Sequence, residues 1–197
     1  MATLLPAAVE GRWIRLRPVS RSDHPDIFAQ RIDARSLHLN GLSVAVPTFE
    51  DWEATELRQM LGGGPAMVVE QRDGSFLGLL HLHKMNLHDG WGYAEFRLPL
   101  DIGEPLIETS VAFLDYAFSY FNFRKLYVET IALHLPLIEW LQRLEFQEEV
   151  RLKEYVWHAG EYVDLIHVSL QRLAWEEIRR RFVTSLDVAW AASSLQK

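Results

Sequence analysis

The chain has 197 residues, 20 Lys and Arg against 27 Asp and Glu, and a net charge of −7 with histidine neutral. Half its residues are hydrophobic and it has no cysteine, which excludes a disulfide scaffold, a thiolate zinc site and a cysteine nucleophile. The acidic balance argues against a nucleic-acid partner, since phosphate contacts need clustered Lys and Arg. No apolar run is long enough to span a bilayer, and the opening MATLLPAAVE lacks the basic stretch of a signal peptide. A cytoplasmic protein with no membrane partner is expected.

The elements follow in chain order. Arg12 to Pro18 alternates apolar and basic residues, the period of a half-buried strand. Ser22, Asp23 and Pro25 then open a helix through Ile27, Phe28 and Ile32. Leu37 to Pro47 reads as irregular. A second helix starts near Thr48 and stops at Gly62-Gly63-Gly64-Pro65. Strands follow at 66–71, 76–85 and 91–100, with Asp73-Gly74 and Asn86 to Gly90 as turns. Ile107, Val111, Leu114, Phe118 and Phe121 mark one face of an amphipathic helix. Lys125 to Leu133 is a mostly apolar strand, expected to be covered on both faces. A short helix at 136–144, a hairpin of 150–157 with 161–170, and a helix at 175–192 complete the chain. This predicts an α+β fold, a mixed, mostly antiparallel sheet flanked by helices.

The central hairpin carries the candidate chemistry. Leu80 and Leu82 alternate with His81 and His83, while Ala94, Phe96 and Leu98 alternate with Tyr93, Glu95 and Arg97. The apolar faces share the core, so the polar faces coincide. With Met85 and Trp91 flanking the turn, the register sets His83 opposite Tyr93 and His81 opposite Glu95, within reach of each other. A carboxylate beside an imidazole can pass a proton near neutral pH, whereas the plain alternative is a solvated sheet face. His81-x-His83 with Glu95 is too unspecific a spacing to predict a metal site, and none is expected.

From Arg12 almost to Glu177 the sequence resembles the GCN5-related N-acetyltransferase (GNAT) superfamily, in its RimJ/RimL-type branch. Three stretches carry the resemblance: RWIRLRPVSRSDHPDIFA, YAEFRLPLD, and RLKEYVWHAGEYVDLIHVSLQRLAWEE with Arg151, Gly160, Asp164, Leu170, Trp175 and Glu176. The resemblance implies one domain over 1–175 and a helical extension over 176–197. It implies acyl transfer from acetyl-coenzyme A or another acyl-coenzyme A to a primary amine, either a small molecule or a protein N-terminus. The amine attacks the thioester directly. Glu95 then matches the family's fourth-strand carboxylate and is expected to act as base, with His81 as partner and Tyr93 as proton donor to the thiolate. His83 and Arg97 are expected to meet the acceptor. Leu98, Leu100, Gly103 and Leu106 fall where the family holds the donor's pantetheine and pyrophosphate, and His134 is a further donor contact. A homodimer is possible through the apolar terminal stretch from Phe182 to Trp190.

The loop Asp101-Ile102-Gly103-Glu104-Pro105-Leu106 departs from the family's glycine-rich, basic pattern. It has one glycine, two carboxylates that repel phosphate, and a proline without an N–H. Leu141 stands where the family often has a tyrosine acid. A carrier-protein or aminoacyl donor, or a non-catalytic binding role, are the alternatives this leaves.

Overall fold

A computed structural model describes residues 8–33, 46–158 and 160–186. The chain begins with β1 (Val9–Glu10) and β2 (Ile14–Pro18), a 3-10 turn at Arg21–Asp23 and α1 (His24–Ile32). α2 (Phe49–Trp52) is capped by the Thr48 hydroxyl, which accepts from the Asp51 N–H. It passes through a π turn (Glu53–Leu57) into α3 (Arg58–Gly63). β3 (Ala66–Gln71), β4 (Phe76–Asn86) and β5 (Trp91–Arg97) form a meander. α4 (Glu104–Tyr120) crosses to β6 (Lys125–Ile131), and α5 (Leu135–Arg143) leads to the hairpin β7 (Gln147–His158) and β8 (Glu161–Gln171). α6 (Arg172–Leu186) follows.

The eight strands form one sheet in the order β1-β2-β3-β4-β5-β6-β8-β7. All neighbours are antiparallel except β5 and β6. The α+β architecture expected from the sequence is therefore present. The strand expected to run to Leu100 stops at Arg97, because Leu98 begins the turn into α4. α4 starts at Glu104, three residues before the first apolar position that marks its face. The irregular 37–47 segment lies mostly outside the described residues, as do residues 187–192 of the terminal helix.

The two sheet faces are covered unequally, and this positions the site. Leu80, Leu82, Ala94, Phe96, Leu126 and Val128 point to one face and join Val111, Phe113 and Leu114 of α4, Trp140 and Leu141 of α5, and Trp175 and Ile178 of α6. On the other face, Val68 and Leu79 pack under Ile27, Trp52 and Leu57. That second layer covers only the β2–β4 side. The helix α6 runs unbroken past Trp175, whose indole donates to buried Asp115 at 2.8 Å. Arg179 reaches the same carboxylate at 2.5 Å.

One buried carboxylate ties the first strands to α4. Glu108, 0% exposed, accepts from the backbone N–H groups of Arg12 (2.5 Å), Trp13 (2.8 Å) and Ile14 (3.1 Å). A Cβ at Gly11 would lie 2.4 Å from that carboxyl carbon, so only glycine lets the turn close on it.

Candidate active site

The register of the central hairpin is the expected one. His81 faces Glu95, and His83 faces Tyr93. Beyond His83 a bulge shifts the pairing, so that Asn86 rather than Met85 faces Trp91. Side-chain alternation places His81, His83, Tyr93, Glu95 and Arg97 on the thinly covered face.

The next strand supplies the opening. β5 and β6 pair in parallel only over Trp91↔Lys125, Gly92↔Leu126 and Tyr93↔Tyr127. Past this point the strands part while each remains bonded to its other neighbour, β4 or β8. The gap is a cleft of about 360 Å³ lined by His83, Glu95, Arg97, Glu129, Thr130, His134 and Tyr155, among others. An edge of β5 without a strand partner faces it, so backbone polar groups are available to an extended ligand.

Glu95 is held between the guanidinium of Arg97 and the imidazole of His81. Its Oε1 accepts from Arg97 Nε at 2.7 Å, and its Oε2 lies 3.6 Å from His81 Nδ1. Burial pushes the carboxyl up, but the contact with His81 and the charge and hydrogen bond of Arg97 outweigh it, and Glu95 falls to about 2. It is a fixed anion at every physiological pH. His81 is buried, and its Nε2 finds no hydrogen-bond partner among the described residues. The carboxylate at Nδ1 assigns the ring proton to that nitrogen. His83 stacks on His81 at 5.2 Å and 13°. Burial pulls His83 below the usual histidine value, against the opposing charge of Glu95, so its imidazole is neutral at pH 7.

Tyr93 is not brought into this cleft. It lines a neighbouring concavity with Trp91, Tyr127, Glu149 and His167. Its hydroxyl lies 3.3 Å from His167 Nδ1, its ring stacks on Tyr127 at 5.3 Å, and burial holds its pKa up. The reason is topological: Tyr93 is the last β5 residue still paired to β6, at the closed end of the seam.

The residues expected at the donor are dispersed. Leu98 and Leu100 sit in the turn after β5 and pack partly buried against the main core. Leu106 is 3% exposed within that core. Gly103 is the N-cap of α4 at φ 65, a left-handed conformation that suits glycine. Its carbonyl takes the N–H groups of both Leu106 (3.0 Å) and Ile107 (3.4 Å), and Pro105 has none to offer. With Asp101 and Glu104 beside it, this helix start does not fit a pyrophosphate. His134 does line the cleft, at the N-cap of α5.

Sequence reasoning missed Glu129, Thr130 and Tyr155. Lys125 to Leu133 was expected to be a strand covered on both faces, but the strand ends at Ile131 and Lys125, Tyr127 and Glu129 look out from the open face. The alternation Lys-Leu-Tyr-Val-Glu was the available signal. No group of three or more His, Asp or Glu among the described residues is arranged to hold a metal ion. No helix among them is long and apolar enough to cross a membrane.

No family model matches the chain, and no curated protein matches it in sequence. Solved structures do match in fold. A GCN5-related N-acetyltransferase from Brucella melitensis superposes with a TM-score of 0.75 at 17% identity, covering 94% of this chain and 87% of that one. Spermidine N-acetyltransferase from Vibrio cholerae, solved with CoA and spermine, gives 0.73 at 19% identity, over 83% of this chain and 98% of that one. RimJ from Mycobacterium smegmatis, solved with CoA-disulfide, gives 0.73 at 19% identity, over 94% and 98%. The parted β5–β6 seam, the crossover helix α4 and the order of the sheet together have the fold of the GCN5-related N-acetyltransferases.

Proposed function

We propose that this protein is an N-acyltransferase that passes an acyl group from a thioester to a primary amine in the seam between β5 and β6. The observation that carries the reading is the parting of the two strands after Tyr93 and Tyr127, which opens a cleft beside an anion and a neutral imidazole. Fold neighbours solved with CoA support a thioester donor, and the spermidine enzyme among them supports an amine acceptor.

The unpaired edge of β5 holds the pantetheine-like arm. The fixed charge of Glu95 draws the acceptor's ammonium into the cleft. With a pKa of about 2, Glu95 is a weak proton acceptor, so its part as base is carried through the neighbouring imidazole or a water. His83 lines the cleft and takes the amine proton. The nitrogen then attacks the thioester carbonyl, a C–N bond forms, the nitrogen gives its second surplus proton to water, and the C–S bond breaks. His83 returns the proton to the leaving thiolate, and Glu95 stabilises its transient positive charge. Arg97 and His81 hold Glu95 in place.

A second reading concerns the donor. The acidic, donor-poor start of α4 favours an acyl group carried on a protein-bound arm, or another thioester without a free nucleotide, over coenzyme A held by its pyrophosphate. The test of acyl transfer is thiol release from acetyl-pantetheine and acetyl-coenzyme A in the presence of a panel of primary amines. Amine-dependent release that falls at least tenfold in His83→Gln supports the reading. Release no faster than without protein, for every amine, overturns it.

A further inference from the structure

Strict alternation along β4 would send Lys84 to the core face with Leu82. The bulge between His83 and Asn86 prevents this. Lys84 takes φ 46, a conformation that L side chains rarely adopt, and Met85 packs against the core in its stead. The strained residue thereby places a primary ammonium on the open face. Backbone strain of this kind concentrates where a side chain must be aimed.

The ammonium has a defined seat. Lys84 Nζ lies 4.9 Å from the centroid of the Tyr93 ring and 3.7 Å from Glu129 Oε2. His167 closes a third side, with Nε2 3.8 Å from the same carboxylate oxygen and Nδ1 3.3 Å from the Tyr93 hydroxyl. An aromatic face beside a carboxylate is a general receptor for alkylammonium groups. The adjacent lysine offers an internal comparison. Lys125 lies 5.4 Å from the Tyr127 ring, but its side chain is 15% exposed and pinned to Glu149 at 2.5 Å. The Lys84 side chain is 59% exposed and its ionic contact is long. Lys125 is locked, whereas Lys84 can be exchanged.

We propose that Tyr93, Glu129 and His167 form an exchangeable alkylammonium seat at the fork of β5 and β6, filled by Lys84 until a cationic part of the acceptor displaces it. Tyr93 faces His83, the group that takes the amine proton, with their ring centroids 5.6 Å apart. The acceptor class is therefore an amine that carries a second cationic group a short alkyl chain away from the nitrogen that is acylated. That last assignment rests on the acyltransfer reading, while the seat itself does not.

The test is a binding titration by NMR of tyrosine-ring-labelled protein with n-butylammonium, and with n-butanol as the neutral control. Lys84→Met is expected to bind n-butylammonium at least tenfold more tightly than the unaltered chain, with no gain for butanol. In the Lys84→Met background, Tyr93→Phe is expected to keep the gain because the ring remains, whereas Tyr93→Leu and Glu129→Gln each lose it. No gain in Lys84→Met, or a gain that survives both Tyr93→Leu and Glu129→Gln, overturns the seat. Acyl transfer observed without that gain removes the seat and leaves the enzyme. The gain observed without any acyl transfer supports the seat and removes the enzyme.

Discussion

Replacing Arg97 with Met probes the electrostatic centre of the site. Glu95 stands at about 2 against an ordinary value of 4.5. At about 1.4 kcal/mol per tenfold step, that gap corresponds to about 3 kcal/mol in favour of the ionised carboxylate. The Glu95 side chain is 31% exposed, so solvent screening reduces this to about half. Burial alone would raise the carboxyl; His81 and Arg97 bring it down. A guanidinium charge about 4 Å away at an effective dielectric of about 20 supplies about 4 kcal/mol before screening, enough to account for the depression. Because the folded value is depressed, its stabilisation is present above 4.5 and is lost as pH falls from there toward about 2. Arg97→Met is expected to return Glu95 to the ordinary carboxylate range, so that this acid-side loss shrinks. The assay is a pH titration of the Glu95 side-chain carbonyl by carbon-13 NMR. The unaltered protein is expected to show no titration above pH 3, and the variant a full titration between pH 3 and 6. A variant carboxyl that still fails to titrate above pH 3 would refute the reasoning, leaving His81 as sufficient.

Other consequences follow from the same geometry. The acid limb of kcat/KM is expected to fall with a midpoint below 6.5, since burial lowers His83 and only its neutral form accepts a proton; a midpoint above 7 would contradict the assignment. Glu108→Ala leaves three backbone donors at the β1–β2 turn without their acceptor and is expected to cost about 3–5 kcal/mol, lowering Tm by about 10 °C, with a smaller loss for Glu108→Gln. Scanning calorimetry decides it, and a change under 2 °C for the alanine variant would contradict the packing. Gly78→Ala puts a Cβ 2.1 Å from the Arg97 carbonyl, so β4 and β5 must separate and stability is expected to drop by about 2 kcal/mol or more. Unchanged denaturant midpoints would contradict it.

Much of the site was legible because sheet physics is periodic. Alternation set the shared face, and a turn placed between Met85 and Trp91 set His81 against Glu95 and His83 against Tyr93, pairs that hold although the bulge puts Asn86 opposite Trp91. What alternation could not show was the third dimension. His81 is buried although it lies on the polar face, and the second layer built on α1–α3 packs on β3 and β4 and not on β6. Glu129 comes from a strand joined to β5 by the long α4 crossover and Tyr155 from the outer strand of the β7–β8 hairpin, so the local alternation that exposes them does not say that they meet at the cleft. The Lys84 bulge was hidden for another reason: nothing in His-Lys-Met-Asn marks a left-handed lysine, a conformation set by tertiary packing of Met85 and the cleft face. Glu108 did leave a trace, as a carboxylate beside the apolar stripe of an amphipathic helix, but its three donors lie almost a hundred residues earlier in the chain.

The most direct measurement compares kcat/KM for acetyl-pantetheine and acetyl-coenzyme A with one accepted amine. The account places the thioester arm in the β5–β6 seam and finds no phosphate cradle at α4, so it predicts turnover of both donors with values within about threefold of each other. Turnover of acetyl-coenzyme A at more than a hundred times the rate of acetyl-pantetheine would show that the nucleotide is gripped after all, and turnover of neither would remove the thioester from the seam.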